Sequence, residues 1–119
     1  MWMKDGVLTV KDNGTKRFTV GKPILRAFEI INDIMEASGE YCVTSLLDGT
    51  HGPNSLHYVG LAMDLRTRHL RDPELVGPLA VRLQEELGRM YQVIAEKDHI
   101  HIEVSPLWLS ANGDPRKVA

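Results

Sequence analysis

The sequence predicts an α+β fold with a mainly antiparallel sheet and two principal helices. Three observations support this prediction: several short β-prone runs, two stretches with apolar residues at helical spacing, and short connections that mix the two kinds of element. The chain has 119 residues, of which 43% are hydrophobic and 25% are charged. These values fit one soluble domain around a single core. We therefore expect a single domain over 1–119, with an N-terminal hairpin in 1–21 and a C-terminal tail in 106–119.

The first elements are a hairpin and a helix. Two β-prone runs, 7–10 and 17–20, flank the turn-forming pair Asn13-Gly14, which predicts a hairpin. Pro23 then begins a helix, because its missing N–H is harmless in a first turn. Apolar residues continue at helical spacing, and Gly39 is expected to end the helix. The apolar stripe predicts that this helix packs on the core.

The central part of the chain is predicted as two strands joined by a loop. The strand 41–47 is followed by a loop in 48–54 that is dense in turn formers, and this loop leads to His57. The next strand is predicted at 61–66. Alternation places Ala62, Asp64 and Arg66 on one face, and Leu61, Met63 and Leu65 on the other face towards the core. Cys42 is expected to be a small buried strand residue.

The second helix is predicted to begin at Asp72, the N-cap, with Pro73 in the first turn. Pro78 conflicts with an unbroken helix, so the first turn is expected to be separate or kinked. Gly88 is expected to end the helix. Its predicted buried face comprises Leu75, Val76, Leu79, Ala80, Leu83 and Leu87.

Two strands, 92–95 and 99–104, are predicted to close the sheet, with Lys97-Asp98 at the turn between them. In the last strand, alternation places His99, His101 and Glu103 on one face and Ile100, Ile102 and Val104 on the other. This pattern indicates a half-buried strand with a polar working face. The tail is expected to dock on the body through Leu107, Trp108 and Leu109.

The bulk properties exclude some functions. A formal net charge of −2 gives no electrostatic reason to expect nucleic acid, which usually requires a basic patch. No apolar run is long enough to span a bilayer, and the first residues do not resemble a signal peptide. We therefore expect synthesis in the cytoplasm, no membrane partner, and release or transport by another component if the substrate lies outside. The single cysteine excludes an intramolecular disulfide.

Two motifs carry the chemistry. The first, Ser55-x-His57-x-x-Gly60-x-Ala62-x-Asp64, supplies an imidazole and a carboxylate seven positions apart. The second, Asp98-His99-x-His101, supplies further imidazoles. Two histidines and one carboxylate would form a three-ligand metal site, and a fourth position open to water or substrate is typical of catalytic zinc.

These motifs resemble the zinc peptidoglycan peptidases of the D-Ala-D-Ala carboxypeptidase/L-alanyl-D-glutamate endopeptidase group, which share the hedgehog/DD-peptidase fold. The resemblance spans roughly 44–104. Within this group, the chain is most similar to the short phage and prophage members. It implies Zn²⁺ held by His57, Asp64 and His101, with water as the fourth ligand. It also implies a carboxylate base three residues before the last histidine, which is Asp98 here.

The other site residues are assigned as hypotheses. Protonated His99 is the first candidate for donating to the oxyanion, followed by Arg66 and His51. Strict alternation would place Asp98 on the face of the strand opposite to His101. Asp98 can therefore be the base only if it lies at a bulge or turn before the strand. If it does not, Glu96 or Glu103 is the candidate base. A carboxylate of the substrate needs a cation, which Arg66 or Arg68 can supply. The substrate-binding candidates are Arg66, His51, Ser55 and Tyr58, with Ser55 alternatively bonding to its own loop and Tyr58 alternatively packing.

The predicted function is a zinc metallopeptidase that hydrolyses a peptide bond in bacterial peptidoglycan stem peptides, as a lysis or tail-associated enzyme of a phage or prophage. Its partner would be the stem peptide, and it would act as a monomer or within a phage assembly. Two alternatives remain open: a non-catalytic zinc-containing module that binds cell wall, and a structural module of a phage particle.

Overall fold

The computed structural model describes residues 2–4, 7–9, 22–35, 41–45, 53–67 and 73–117. The strands are β1 (Trp2–Lys4), β2 (Val7–Thr9), β3 (Tyr41–Ser45), β4 (Ala62–Arg66), β5 (Tyr91–Ala95) and β6 (His99–Val104). The helices are α1 (Lys22–Met35), α2 (Val76–Leu87) and α3 (Pro106–Asn112), and single turns of 3₁₀-helix lie at Leu56–Val59 and Pro73–Leu75.

The described strands form one sheet in the order β2-β1-β3-β4-β6-β5, and neighbouring strands are antiparallel. The predicted α+β class with a mainly antiparallel sheet is therefore confirmed. The prediction of two principal helices holds for α1 and α2, but α3 is a third, shorter helix. β4 and β6 are central in this order, so the residues that they carry are held by pairing on both sides.

The main core lies between one face of the sheet and the helices α1 and α2. Its sheet side includes Met63 and Leu65 from β4 and Ile100 and Ile102 from β6, all with no exposed surface. Burial of each such side chain contributes about 1.5–3 kcal/mol. The helices contribute Ile24, Ala27, Ile31, Ile34, Met35, Ala80, Leu83 and Leu87. Cys42 of β3 is also buried, as predicted.

A smaller apolar cluster lies beside the polar face of the sheet. It contains Leu56, Leu61, Ala62 and Val104, against which Trp108 and Leu109 of α3 pack. The predicted docking of the tail is thus achieved by a helix, which begins where Ser105 Oγ accepts a hydrogen bond from the N–H of Trp108. The expectation for Leu107 was wrong, because this side chain lies on the outer side of the helix and is 46% exposed. Leu61 is buried, as predicted, but it precedes β4 and packs in this second cluster and not with Met63 and Leu65.

The start of α2 follows the prediction in part: the N-cap of the α-helix is Leu75, whereas Asp72, the predicted N-cap, lies outside the described residues. The turn Pro73–Leu75 is separate from the α-helix, which begins at Val76. Pro78 lies in the first turn of that helix, where an N–H has no intrahelical acceptor, so the proline does not break the helix. Leu75 was predicted to be buried but is 54% exposed, because it belongs to the separate turn and not to the helical stripe.

β2 lies within the predicted run 7–10 and pairs with β1, a strand that was not predicted, with Lys4 opposite Val7. The two residues between these strands in the sequence, Asp5-Gly6, are a pair that favours two-residue hairpin turns, as Asn13-Gly14 is. The predicted second strand 17–20 lies outside the described residues.

The outer strand β5 is protected by a side chain of α2. Gln84 Nε2 donates to the carbonyls of Gly88 and Tyr91 at 3.0 and 2.9 Å, and Gln84 Oε1 accepts from the N–H of Val93 at 2.9 Å. An uncovered strand edge invites pairing with other chains. One glutamine therefore satisfies part of this edge and attaches it to the helix.

Replacement of Gln84 by alanine is expected to lower the free energy of unfolding by about 1–3 kcal/mol, because backbone groups lose their partners. Urea unfolding, followed by circular dichroism, measures this change. Glu86→Ala is the matched control, since Glu86 is exposed on the same helix. Equal midpoints for the two variants would contradict the role of Gln84.

Among the described residues, none of the helices has the length and apolar character needed to cross a lipid bilayer.

Candidate metal centre

The polar face of β4 and β6 is a ladder of facing side chains. The cross-strand pairs are Ala62 with Glu103, Asp64 with His101, and Arg66 with His99. In β6, the alternate residues Ile100, Ile102 and Val104 are buried while the polar ones are only partly so, which confirms the predicted alternation. Directly opposed residues on one face lie close enough to interact, so the register brings Asp64 to His101.

The first motif folds as a compact unit that delivers His57 to this ladder. Ser55 Oγ accepts a hydrogen bond from the N–H of His57 at 3.1 Å and thereby caps the 3₁₀ turn. Gly60 ends the turn in the left-handed region, at φ 73°, where a side chain is disfavoured. Ala62 has no exposed surface, so a larger side chain would not fit there. Each motif residue thus has a structural reason for its identity.

An irregularity in β3 lies next to Asp64. Val43 is opposite Leu65 and Ser45 is opposite Asp64, so two steps along β3 match one step along β4. This is a β-bulge, a feature that bends a strand and is common beside functional sites.

Three potential ligand atoms converge around one point. His57 Nε2 lies 3.3 Å from Asp64 Oδ1, and His101 Nδ1 lies 2.9 Å from the same oxygen. The ligand atoms of the three residues all lie within 4.8 Å of one another. Ligands of a tetrahedral ion with bonds of about 2.0–2.1 Å are separated by about 3.3 Å. The cluster of His57, Asp64 and His101 can therefore hold a metal ion after a small expansion of the Asp64–His101 contact.

The cluster is enclosed and strongly coupled. His57 is 2% exposed and Asp64 is 7% exposed. Burial alone would raise the pKa of Asp64, but the hydrogen bonds with His101 and His57 outweigh it and hold that pKa well below its usual value. Burial alone would lower the pKa of His101, but hydrogen bonds to Asp64 and Glu103 raise it to about 9. In the metal-free protein, a proton on the imidazole of His101 therefore lies beside the Asp64 carboxylate, where a metal ion could bind.

A second polar pair adjoins the cluster. Asp98 lies in the bend between β5 and β6, as predicted, and its Oδ1 is 2.7 Å from His99 Nδ1. The other ring nitrogen of His99 is 3.8 Å from Asp64 Oδ1. The imidazole of His99 therefore lies between the Asp98 carboxylate and the cluster. The side chain of Asp98 is 58% exposed, which opens this side of the site to solvent.

The predicted substrate-binding residues have different positions. Arg66 lies at the end of β4, half-buried and opposite His99 on the polar face. Ser55 bonds to its own loop, and its role towards substrate stays a prediction. Tyr58 is part of the 3₁₀ turn, although its side chain is not among those described. His51 and Arg68 lie outside the described residues.

Two further residues on this side of the protein, Glu103 and Arg116, make contacts that were not predicted from the sequence. Glu103, considered only as an alternative base, has its Oε1 3.6 Å from His101 Nε2. Arg116 donates to the carbonyl of Asn54 at 2.9 Å and to Asp114 at 2.6 Å, which connects the C-terminal segment to the loop before His57. The spacing His-x-Glu within β6 could have indicated the contact of Glu103 with His101. No sequence pattern indicates the contact of Arg116 with Asn54.

Metal binding is expected to depend on pH through His101. A ligand imidazole must lose its proton, and the pKa of this group in the metal-free protein is about 9. Between pH 7 and pH 9 the apparent affinity should therefore rise about tenfold per pH unit and then level off. Calorimetry in two buffers with different ionisation enthalpies should show about one proton released per ion at pH 7. A constant affinity across this range would contradict the His101–Asp64 pairing.

Comparison with protein-family models, with curated proteins and with solved structures found no match to this chain.

Proposed function

We propose that the protein is a zinc-dependent metallopeptidase that hydrolyses a peptide bond in bacterial peptidoglycan stem peptides. The observation that carries the proposal is the convergence of His57 Nε2, Asp64 Oδ1 and His101 Nδ1 directly beside the Asp98–His99 pair. Three enclosed ligands with an adjacent acid–base pair are typical of catalytic metal sites. The choice of substrate rests on the resemblance of the two motifs to the zinc peptidoglycan peptidases.

Zinc is the ion that fits the donor set best. Two imidazole nitrogens and one carboxylate oxygen are ordinary zinc ligands, and three protein ligands leave a fourth position for water or substrate. When bound, zinc would lower the pKa of water and polarise the scissile carbonyl. His57, Asp64 and His101 would hold it.

Asp98 and His99 would handle the proton as one unit. Asp98 accepts the hydrogen bond of His99 Nδ1–H, which leaves Nε2 on the side of Asp64. In that tautomer His99 Nε2, in place of the Asp98 carboxylate expected from the sequence, would take the proton of the attacking water, and Asp98 would stabilise the imidazolium that forms. The protonated ring would then donate a hydrogen bond to the developing oxyanion and finally protonate the leaving amine.

The open side of the site would receive the substrate. Asp98 and His99 are the more exposed of the candidate catalytic residues, with side-chain exposures of 58% and 31%, whereas His57 is enclosed. Arg66 is the cross-strand partner of His99 and would place a cation at this side of the site. A carboxylate of the stem peptide would pair with this cation.

The test is the incubation of zinc-loaded protein with purified peptidoglycan and with synthetic stem peptides, followed by mass spectrometry. We expect new amino termini, loss of cleavage after chelation and recovery after return of zinc. The mass of the products distinguishes D-Ala-D-Ala, L-Ala-D-Glu and cross-link cleavage.

Other outcomes would point to other functions. Stoichiometric zinc without cleavage, together with co-sedimentation with peptidoglycan, would indicate a non-catalytic cell-wall-binding module. Cleavage that resists chelation would exclude the metallopeptidase.

A further inference from the structure

Glu103 lies on the far side of the His101 ring from the other potential ligands. His101 Nδ1 faces Asp64 Oδ1 at 2.9 Å, while His101 Nε2 faces Glu103 Oε1 at 3.6 Å. Both carboxylates are therefore within ion-pair distance of the same imidazole, one at each nitrogen. The side chain of Glu103 is 21% exposed, so this contact is only partly screened by water.

This arrangement determines which nitrogen of His101 can bind a metal. Since Nδ1 is on the side of Asp64 and His57, it is the ligand atom, and Nε2 must then carry the proton of the neutral ring. A neutral imidazole has one donor, and a carboxylate that accepts from it holds the ring in one tautomer and one orientation. We propose that Glu103 is a positioning residue that accepts a hydrogen bond from His101 Nε2–H when Nδ1 binds the metal. This inference rests on the proposed metal site.

The contact must shorten modestly for this role. A hydrogen bond between nitrogen and oxygen needs about 2.7–3.2 Å, which is several tenths of an ångström less than the observed separation. Glu103 lies on β6 at the same face as His101, two residues further along, so the required shift is within the range of side-chain movements.

Glu103 lies near a cation, and its cross-strand neighbours are uncharged. The hydrogen bond to Asp114 is the main cause that raises the pKa of Arg116, and the charge of Glu103 contributes to the same effect. Glu103 is thus close enough to Arg116 to interact with it electrostatically. The cross-strand neighbours of Glu103, Ala62 and Gln92, carry no charge.

The position of Glu103 relative to His101 also argues against a role as the catalytic base. Asp98 and His99 lie on the Asp64 side of the cluster, whereas Glu103 contacts the opposite nitrogen of His101. A base must reach the attacking water, and a positioning residue must reach the ligand. Glu103 reaches the candidate ligand His101, so its geometry is that of a positioning residue.

The experiment compares zinc affinity in wild type, Glu103→Ala, Glu103→Gln and the control Gln92→Ala, by competition with a chromophoric chelator. Loss of such a partner lowers metal affinity by about 10–100-fold. We expect that loss in Glu103→Ala, a smaller one in Glu103→Gln, which keeps an acceptor oxygen, and wild-type affinity in Gln92→Ala. Thermal unfolding of the metal-free variants separates a general loss of structure from this effect.

Long-range ¹H–¹⁵N spectra of the zinc-loaded protein provide a second readout. They should show His101 protonated at Nε2 in wild type, and a changed Nε2 signal in Glu103→Gln. Wild-type affinity in Glu103→Ala, or coordination of His101 through Nε2, would overturn the role of Glu103 while leaving the zinc site intact. Absence of zinc binding in wild type would overturn both proposals. A weaker site in Glu103→Ala without any peptide cleavage would support Glu103 and count against the peptidase.

Discussion

Replacement of Asp64 by asparagine is expected to abolish peptide cleavage and to reduce zinc affinity by well over about 100-fold, more than the loss of an outer partner would cause. Asp64 Oδ1 is the atom that both candidate ligand histidines face, at 3.3 Å for His57 and 2.9 Å for His101. Asparagine preserves the shape of the side chain but removes the charge that offsets the cation. Metal content after dialysis and hydrolysis of stem peptides measure the two effects.

Asp33→Asn is the control for this variant, because it makes the same chemical change at an exposed position of α1. It should retain wild-type zinc content and activity. The metal-free Asp64→Asn protein should also lose stability, since His101 is left without its buried partner. Retention of stoichiometric zinc at wild-type affinity would show that Asp64 is not a ligand.

Replacement of Asp98 by asparagine is expected to leave zinc bound and to reduce kcat by about 10²–10⁴-fold, the usual contribution of a positioned acid–base group. Asp98 does not belong to the ligand cluster, but its Oδ1 is 2.7 Å from His99 Nδ1. Asparagine cannot stabilise the imidazolium that forms when His99 takes up a proton. Steady-state kinetics together with metal analysis distinguish this effect from loss of the ion.

A double variant tests whether Asp98 and His99 act as one unit. The losses in Asp98→Asn and His99→Gln should not add, because either change interrupts the same proton route. Glu96→Gln is the matched control, as Glu96 is an exposed carboxylate beside the same bend. Full activity in Asp98→Asn combined with a large loss in Glu96→Gln would contradict the Asp98–His99 unit and assign the carboxylate role to Glu96.

Local sequence patterns predicted much of the fold because the relevant physics is local. The period of two in β6 reveals its buried and polar faces, since strand side chains alternate regardless of what covers them. The separate turn before α2 followed from Pro78, which restricts its own backbone. Leu75 was assigned wrongly because periodicity continues in the sequence across a break in the helix.

The N-terminal hairpin shows where local signals compete. Asn13-Gly14 and Asp5-Gly6 both favour turns, and the described strands show pairing across the second of these pairs, with β1 between β2 and β3. Partner strands far along the chain decide such a choice, because a two-stranded hairpin alone is marginal in water. The sequence contains the turn signals but not their ranking.

The residue types of the candidate site could be read from the sequence, because the identity of a side chain is a property of its own position: His57, Gly60, Asp64 and His101 were all identified from the two motifs. The spatial relations between these residues became visible only in the folded chain. The register that sets Asp64 against His101, the placement of the His99 ring between Asp98 and the cluster, and the contact of Glu103 with the second nitrogen of His101 each join residues through strand pairing and side-chain packing. Those distances depend on how the whole sheet assembles, which no local pattern specifies.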